Sequence, residues 1–199
     1  LNSQISTINQ LSALAYQQLR GRRTFHWAVE FPEVFANGGF SAVVGNPPFL
    51  GGVRVSEIYG VDYNDYLALT NPPAGKKSDL AIYFFRRGAD ILAERGCLGL
   101  IATKTVAQGK SREGGLDEML ANGAAIYRAE TAFKWPGGAA VLVCIIHITK
   151  LDWAGTRWID GRYFAFIDGG LLGAKTEESA PKELSVSNGL AYQGSSLLG

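Results

Sequence analysis

Apolar and polar positions follow two different periods along this chain, and the switches between them outline an α/β protein. Over residues 3–20, Ile5, Ile8, Leu11, Ala15 and Leu19 recur every three or four positions and Gly21 follows, which predicts a helix with one apolar stripe. "TFHWAVEFPEVF" (24–35) is an aromatic-rich lead-in broken by Pro32. "FSAVV" (40–44) is an unbroken apolar run closed by Gly45, the pattern of a strand buried on both faces. From 50 to 78 no period holds, and the Gly, Pro, Tyr and Asp content predicts a long loop or lid. Ser78 then caps a predicted helix over 79–95, with Leu80, Phe84, Gly88, Ile91 and Leu92 on one face and Arg86 and Arg87 away from it.

"CLGLIAT" (97–103) reads as a second strand, a helix over about 112–121 stops at Asn122-Gly123, and "AAIYRAE" and "AVLVCIIHI" read as a third and fourth strand. Alternating strands and helices with near-continuous apolar strands predict a mostly parallel sheet with helices on both faces. The last two strands, joined without a helix, are expected to be antiparallel. "RWIDGRYFAFID" reads as one more strand pair, and 173–199 is rich in Gly, Ser and small residues.

Charge changes this picture only by exclusion. A net charge of +1 supplies no global field for nucleic acid, so such a partner must be held by a local patch. Lys76, Lys77, Lys104, Lys110 and Arg112 fall in predicted loops after strand ends, where they suit either phosphate contacts or plain solvation. Cys97 and Cys144 sit in strand-like runs and read as reduced, buried thiols of a cytoplasmic protein. No cationic signal peptide or long apolar span argues for secretion or a membrane. His26 and His147 are too isolated to imply a metal, and His147 reads as a strand residue, while Trp27, Trp153 and Trp158 read as packing residues. The first residue is Leu, which points to a processed or truncated chain.

The stretch that carries chemistry is "GGFSAVVGNPPFLGG" (38–52). Two prolines end the strand and brace a corner at its carboxyl end, where ligands of open α/β sheets bind. Asn46 offers an acceptor oxygen and Pro47 a carbonyl without a donor of its own, a pair suited to the two hydrogens of an exocyclic amine. Phe49 adds a flat apolar face. A stiffened turn with Asn as a local hydrogen bonder fits the same residues.

"GNPPF" after a hydrophobic strand resembles the catalytic motif of amino methyltransferases, and "FHWAVEFPEVFANGGFSAVVGNPPFLGG" resembles the adenine-N6 DNA methyltransferases of large, type IIG-like restriction–modification and phage-defence proteins. "SDLAIYFFRRGADIL", "GCLGLIATKT", "FKWPGGAAVLVCIIHI" and "VSNGLAYQGSSLLG" resemble later family segments in the family's order. The resemblance implies a partial S-adenosylmethionine-dependent, Rossmann-like sheet with an antiparallel last strand. It implies methylation of adenine N6 in double-stranded DNA, the base being flipped out. Asn46, Pro47, Pro48 and Phe49 are implied as the catalytic turn, Phe49 and Trp135 as the stacking rings, and Pro136 as Trp135's companion. The implied layout is an N-terminal helix (1–23), the target-base half of the catalytic domain (24–150) and an extension toward a DNA-recognition region (151–199), with restriction or specificity domains as possible parent partners.

The family's Gly-rich cofactor loop and ribose-holding acid have no counterpart before Asn46, so cofactor-binding residues are unknown and the site is expected to be incomplete in this chain. Asp79 serves equally as a helix cap or as a shaper of the site. Two alternatives stay open: the same motif acting on RNA or protein glutamine, and a non-catalytic remnant that binds nucleic acid or a partner.

Overall fold

The computed structural model describes residues 10, 13, 14, 17, 25–135, 142–151 and 153–174. Gln10, Ala13, Leu14 and Gln17 are helical, and the rest of the helix expected over 3–20 lies outside the described residues. The chain divides into two compact units, Leu1–Gly39 and Phe40–Gly199.

In the first unit, short helices α1 (Trp27–Glu30) and α2 (Pro32–Ala36) are split at Phe31 because Pro32 occupies the first turn of α2, where its missing N–H costs nothing. Trp27 packs edge-on to Phe25 (4.9 Å between ring centroids) and stacks on Phe31 (6.1 Å).

The second unit is built on a six-stranded sheet: β1 (Phe40–Gly45), β2 (Leu92–Thr103), β3 (Ala125–Lys134), β4 (Leu142–Thr149), β5 (Arg157–Ile159) and β6 (Arg162–Phe164), in the order β1-β2-β4-β3-β5-β6. β1 and β2 run parallel, as do β3 and β5, whereas β4 runs antiparallel to both β2 and β3. The last long strand is therefore antiparallel, as expected, and it inserts between β2 and β3. β5 and β6 form the expected hairpin, turning through Asp160-Gly161 (φ 48° and 77°), the Asp-Gly pair whose left-handed backbone matches strand twist. A small pair, β7 (Phe166–Ile167) and β8 (Gly173–Ala174), follows.

Three helical pieces flank the sheet. α3 (Gly52–Tyr59) and α4 (Val61–Thr70) form a hairpin, and α5 (Leu80–Asp90) follows it. Beyond β2, a 3₁₀ turn (Lys104–Ala107) leads into α6 (Gly109–Arg112), a π-helical turn (Glu113–Asp117) and α7 (Glu118–Ala121). Ala81, Ile82 and Phe85 of α5, with Leu116 and Met119, close on Leu98, Leu100, Ala102, Cys144, Ile146 and Ile148 to make the main core. A second, smaller core gathers Val55, Leu67, Ala74, Leu80 and Tyr83, with Leu50 packed against it.

Four expectations are corrected. The sheet is mixed rather than mostly parallel, since three of its five pairings are antiparallel. Residues 50–78 are not an irregular lid, because the helical hairpin α3–α4 occupies most of that span. It escapes a periodicity reading because Val53, Ile58, Tyr59, Val61, Tyr63, Tyr66 and Leu69 are all exposed, so apolar residues lie on every side. The helix expected over 79–95 stops at Asp90, since β2 already begins at Leu92, paired with Phe40, and a bulge carries residues 93–96 before Cys97 rejoins opposite Ala42. Phe84 is exposed; α5 buries Leu80, Ala81, Ile82, Tyr83, Phe85 and Gly88 because it sits between the two cores rather than against one.

The helices that share the main core with the sheet all lie on the Leu98–Leu100–Ala102 face. The opposite face of β1, β2 and β4 carries Ala42, Val44, Gly99, Ile101, Ile145 and His147 around an open depression of about 370 Å³. Val44 is 85% exposed on β1, which with β6 forms the edges of this sheet among the described residues.

Candidate functional site

Asn46 follows the last residue of β1 and is exposed; Pro47 is buried, Pro48 exposed and Phe49 half-buried. The corner is thus anchored by one ring and presents its amide to solvent. Trp135, half-buried, follows the last residue of β3, and Lys104 follows the last residue of β2. Since β1, β2 and β3 all point the same way, Asn46, Lys104 and Trp135 stand at one end of the sheet, the carboxyl end. Three strand intervals separate β1 from β3, about 14 Å at ~4.8 Å per interval. Pro136 lies outside the described residues.

The turn's exit is held by hydrogen bonds that the sequence did not announce. The Leu80 N–H, at the start of α5, donates to the Leu50 carbonyl at 2.7 Å. One residue earlier, Asp79 caps α5 by accepting from the Ala81 N–H at 2.9 Å, and its other oxygen accepts from the Thr105 hydroxyl at 3.2 Å. The Asp79 N–H donates to Ser111 Oγ at 2.8 Å, and the Ser78 hydroxyl donates to the Lys110 carbonyl at 3.3 Å. Asp79 is therefore a cap that also ties α5 to the end of β2, and it is almost wholly buried. The hydroxyls of Thr103 and Thr105 share a 2.6 Å hydrogen bond there.

Of the basic residues, Lys76 pairs with Asp65 at 2.6 Å, Lys110 with Glu113, and Arg112 with Asp117 at 2.9 Å. Among the described residues Lys77 and Lys104 make no ion pair. Arg86 turns inward, donating to the carbonyls of Asn71, Pro72 and Gly114. The tryptophans named as packing residues do pack: Trp153 stacks on Tyr127 at 4.7 Å and Trp158 lies against Tyr163 at 3.7 Å. Cys144 is buried and free, its thiol pushed up by burial, whereas Cys97 is only half-buried. His147 is a β4 residue whose Nδ1 is buried with no hydrogen-bond partner among the described residues, and burial holds its imidazole below the usual histidine range.

At the carboxyl end of β1 the chain turns through Pro47-Pro48, and the buried carboxylate nearby, Asp79, is committed to Ala81 and Thr105. Among the described residues no cluster of His, Cys, Asp and Glu suits a metal, and no helix is long and apolar enough to cross a membrane.

A family model described as the Eco57I restriction-modification methylase matches residues 2–128, which takes in α1 through the first four residues of β3 and the whole Asn46 turn. This chain belongs to that family. Among solved structures, the type IIL restriction-modification enzyme MmeI in complex with DNA is similar over 66% of this chain and 19% of its own, with 19% identity and a TM-score of 0.52. A DrdV–DNA complex is similar over 68% of this chain and 16% of its own, with 14% identity and a TM-score of 0.43. No curated protein matches. At such identity the MmeI likeness shows the fold alone: a partial Rossmann-like methyltransferase sheet. The methylase chain spans about a fifth of the MmeI chain's length.

Proposed function

We propose that this chain supplies the target-base half of an adenine-N6 DNA methyltransferase in a cytoplasmic restriction–modification or defence enzyme. The observation that carries the reading is the exposed Asn46 amide on a proline-braced corner, at the same end of the sheet as Trp135. An adenine must leave the duplex to reach such a corner. Phe49 and Trp135 would stack on its two faces, each contact contributing about 1–3 kcal/mol. Asn46 Oδ1 and the Pro47 carbonyl would accept the two N6 hydrogens. That geometry withdraws the nitrogen lone pair from the ring and aims it outward, toward an electrophilic methyl group. Positioning and preorganised dipoles carry the rate. The methyl donor implied by the family is S-adenosylmethionine, which needs residues other than those described. Residues 151–199 would lead toward the DNA-recognition region.

The test is radiolabelled methyl transfer to duplex DNA by the full-length methylase, against Asn46→Ala. The variant is expected to keep DNA binding and lose about 100-fold or more in kcat, the scale of removing one preorganised hydrogen-bonding group. Label arriving on cytosine, on RNA or on a glutamine-bearing peptide instead of adenine N6 would overturn the proposal, as would an Asn46→Ala enzyme as fast as the parent.

A further inference from the structure

Two glycines, Gly51 and Gly52, follow the Asn46 turn almost at once, and consecutive glycines make a loose joint. The structure braces that joint from both sides. On one side the Leu80 N–H holds the Leu50 carbonyl. On the other, Asn64 of α4 reaches in. Its Nδ2 donates to the Gly52 carbonyl at 3.0 Å, the Lys76 carbonyl at 3.0 Å and Ser56 Oγ at 2.8 Å. Asn64 is 3% exposed, and its Oδ1 is buried with no hydrogen-bond partner among the described residues. Asn is a mediocre helix former, and an orphaned buried oxygen is costly, so the hydrogens of this amide must offset both. What they hold is the first residue of α3 against the strand of chain that returns from the hairpin.

We propose that Asn64 is a positioning residue for the Asn46 turn, a staple whose amide fixes Gly52 to Lys76 and so sets the direction in which Phe49 and Leu50 leave the corner. The proposal rests on the reading of that corner as the base-holding site. Asn64 touches no substrate; it acts through the backbone at 50–52.

Two measurements test it. The first is hydrogen exchange on the full chain, with Asn64→Ala and Asn64→Leu, the latter keeping the branched shape but removing the donors. Amides of 50–56 and 76–80 are expected to exchange about tenfold faster or more, as the Asn64 hydrogen bonds to Gly52, Ser56 and Lys76 are lost, while β2 and β4 keep their protection. The second is methyl transfer by the full-length methylase. A misplaced reacting group costs up to about 100-fold, so kcat is expected to fall by about that factor with KM for DNA unchanged. An Asn64→Leu variant with parental exchange and parental kcat overturns the proposal. So does faster exchange spread evenly over the sheet, or a rise in KM with kcat intact. If the parent enzyme transfers no methyl to DNA, the base-holding reading fails, and the exchange measurement still decides whether Asn64 is the staple.

Discussion

Replacing Gly52 by alanine sets two effects of opposite sign against each other. In an ordinary helix the change stabilises by about 0.5–1 kcal/mol, because alanine has less freedom to lose on folding. Here the added Cβ would lie 1.8 Å from the Lys76 carbonyl oxygen, 2.7 Å from its carbon and 2.9 Å from Lys77 Cα. All three are backbone atoms. Restoring even about 3.0 Å to the oxygen means driving the two segments apart by more than about 1 Å, and no side-chain rotation can absorb that. Overpacking of this kind costs about 1–3 kcal/mol. The separation also stretches the Asn64 bonds to Gly52 and Lys76, at about 1 kcal/mol each. The net expectation is a loss of about 2–4 kcal/mol, or about 5–15 °C in Tm for a chain of this size. Gly51→Ala is the matched control: nothing lies within 4 Å of its Cβ, its φ is −62°, and its effect should stay within about 0.5 kcal/mol. Thermal and urea unfolding of both variants decide the matter. A Gly52→Ala chain as stable as Gly51→Ala would mean that the hairpin does not close on Lys76 in this way.

Trp135→Ala in the full-length methylase should weaken the hold on an extrahelical base by about 1–3 kcal/mol, while Trp135→Phe keeps most of it; the fluorescence of 2-aminopurine at the target position reads this, and an unchanged signal in Trp135→Ala removes that ring from the site. His147 makes stability depend on pH. Burial, then the nearby Arg128, lowers its folded value, with the Arg128 backbone and Glu130 opposing, so the unfolded chain takes up its proton first. Its contribution is therefore intact above about pH 6.5 and lost as pH falls through the lowered folded value. Urea midpoints should drop as pH falls below about 6.5 in the parent and less in His147→Leu; equal slopes in the two would refute the assignment.

The parts of the molecule legible in the sequence are those where local chemistry and tertiary demand agree. "FSAVV" followed by Gly45-Asn46-Pro47-Pro48 can only be a strand that stops, and Asp160-Gly161 between apolar runs can only be a tight hairpin. The lack of a helical pattern between the third and fourth apolar runs made the antiparallel pairing of β3 and β4 visible in advance. Illegible features depend on partners distant in the chain. Leu92 belongs to a strand only because Phe40 lies beside it. The α3–α4 hairpin has an apolar residue on every side and lacks a helical stripe, so no periodicity could locate it. Asn64 looked like one more polar residue in a loop; only the closure of Gly52 on Lys76 shows what its amide is for. An asparagine at a position flanked by Tyr63 and Leu67 on a helix was the faint signal available.

The position of β4 has a consequence for how the sheet assembles during synthesis. β1, β2 and β3 all leave the ribosome before β4, yet β2 and β3 are joined only through it. Until residue 149 is available, the nascent chain holds two separate fragments, each with a bare row of amides and carbonyls facing the gap. Closure is then a single late event that zips both seams at once, made of contacts far apart in sequence and therefore slow. A chain ended between Lys134 and Leu142 would not trim this sheet; it would leave it in two pieces.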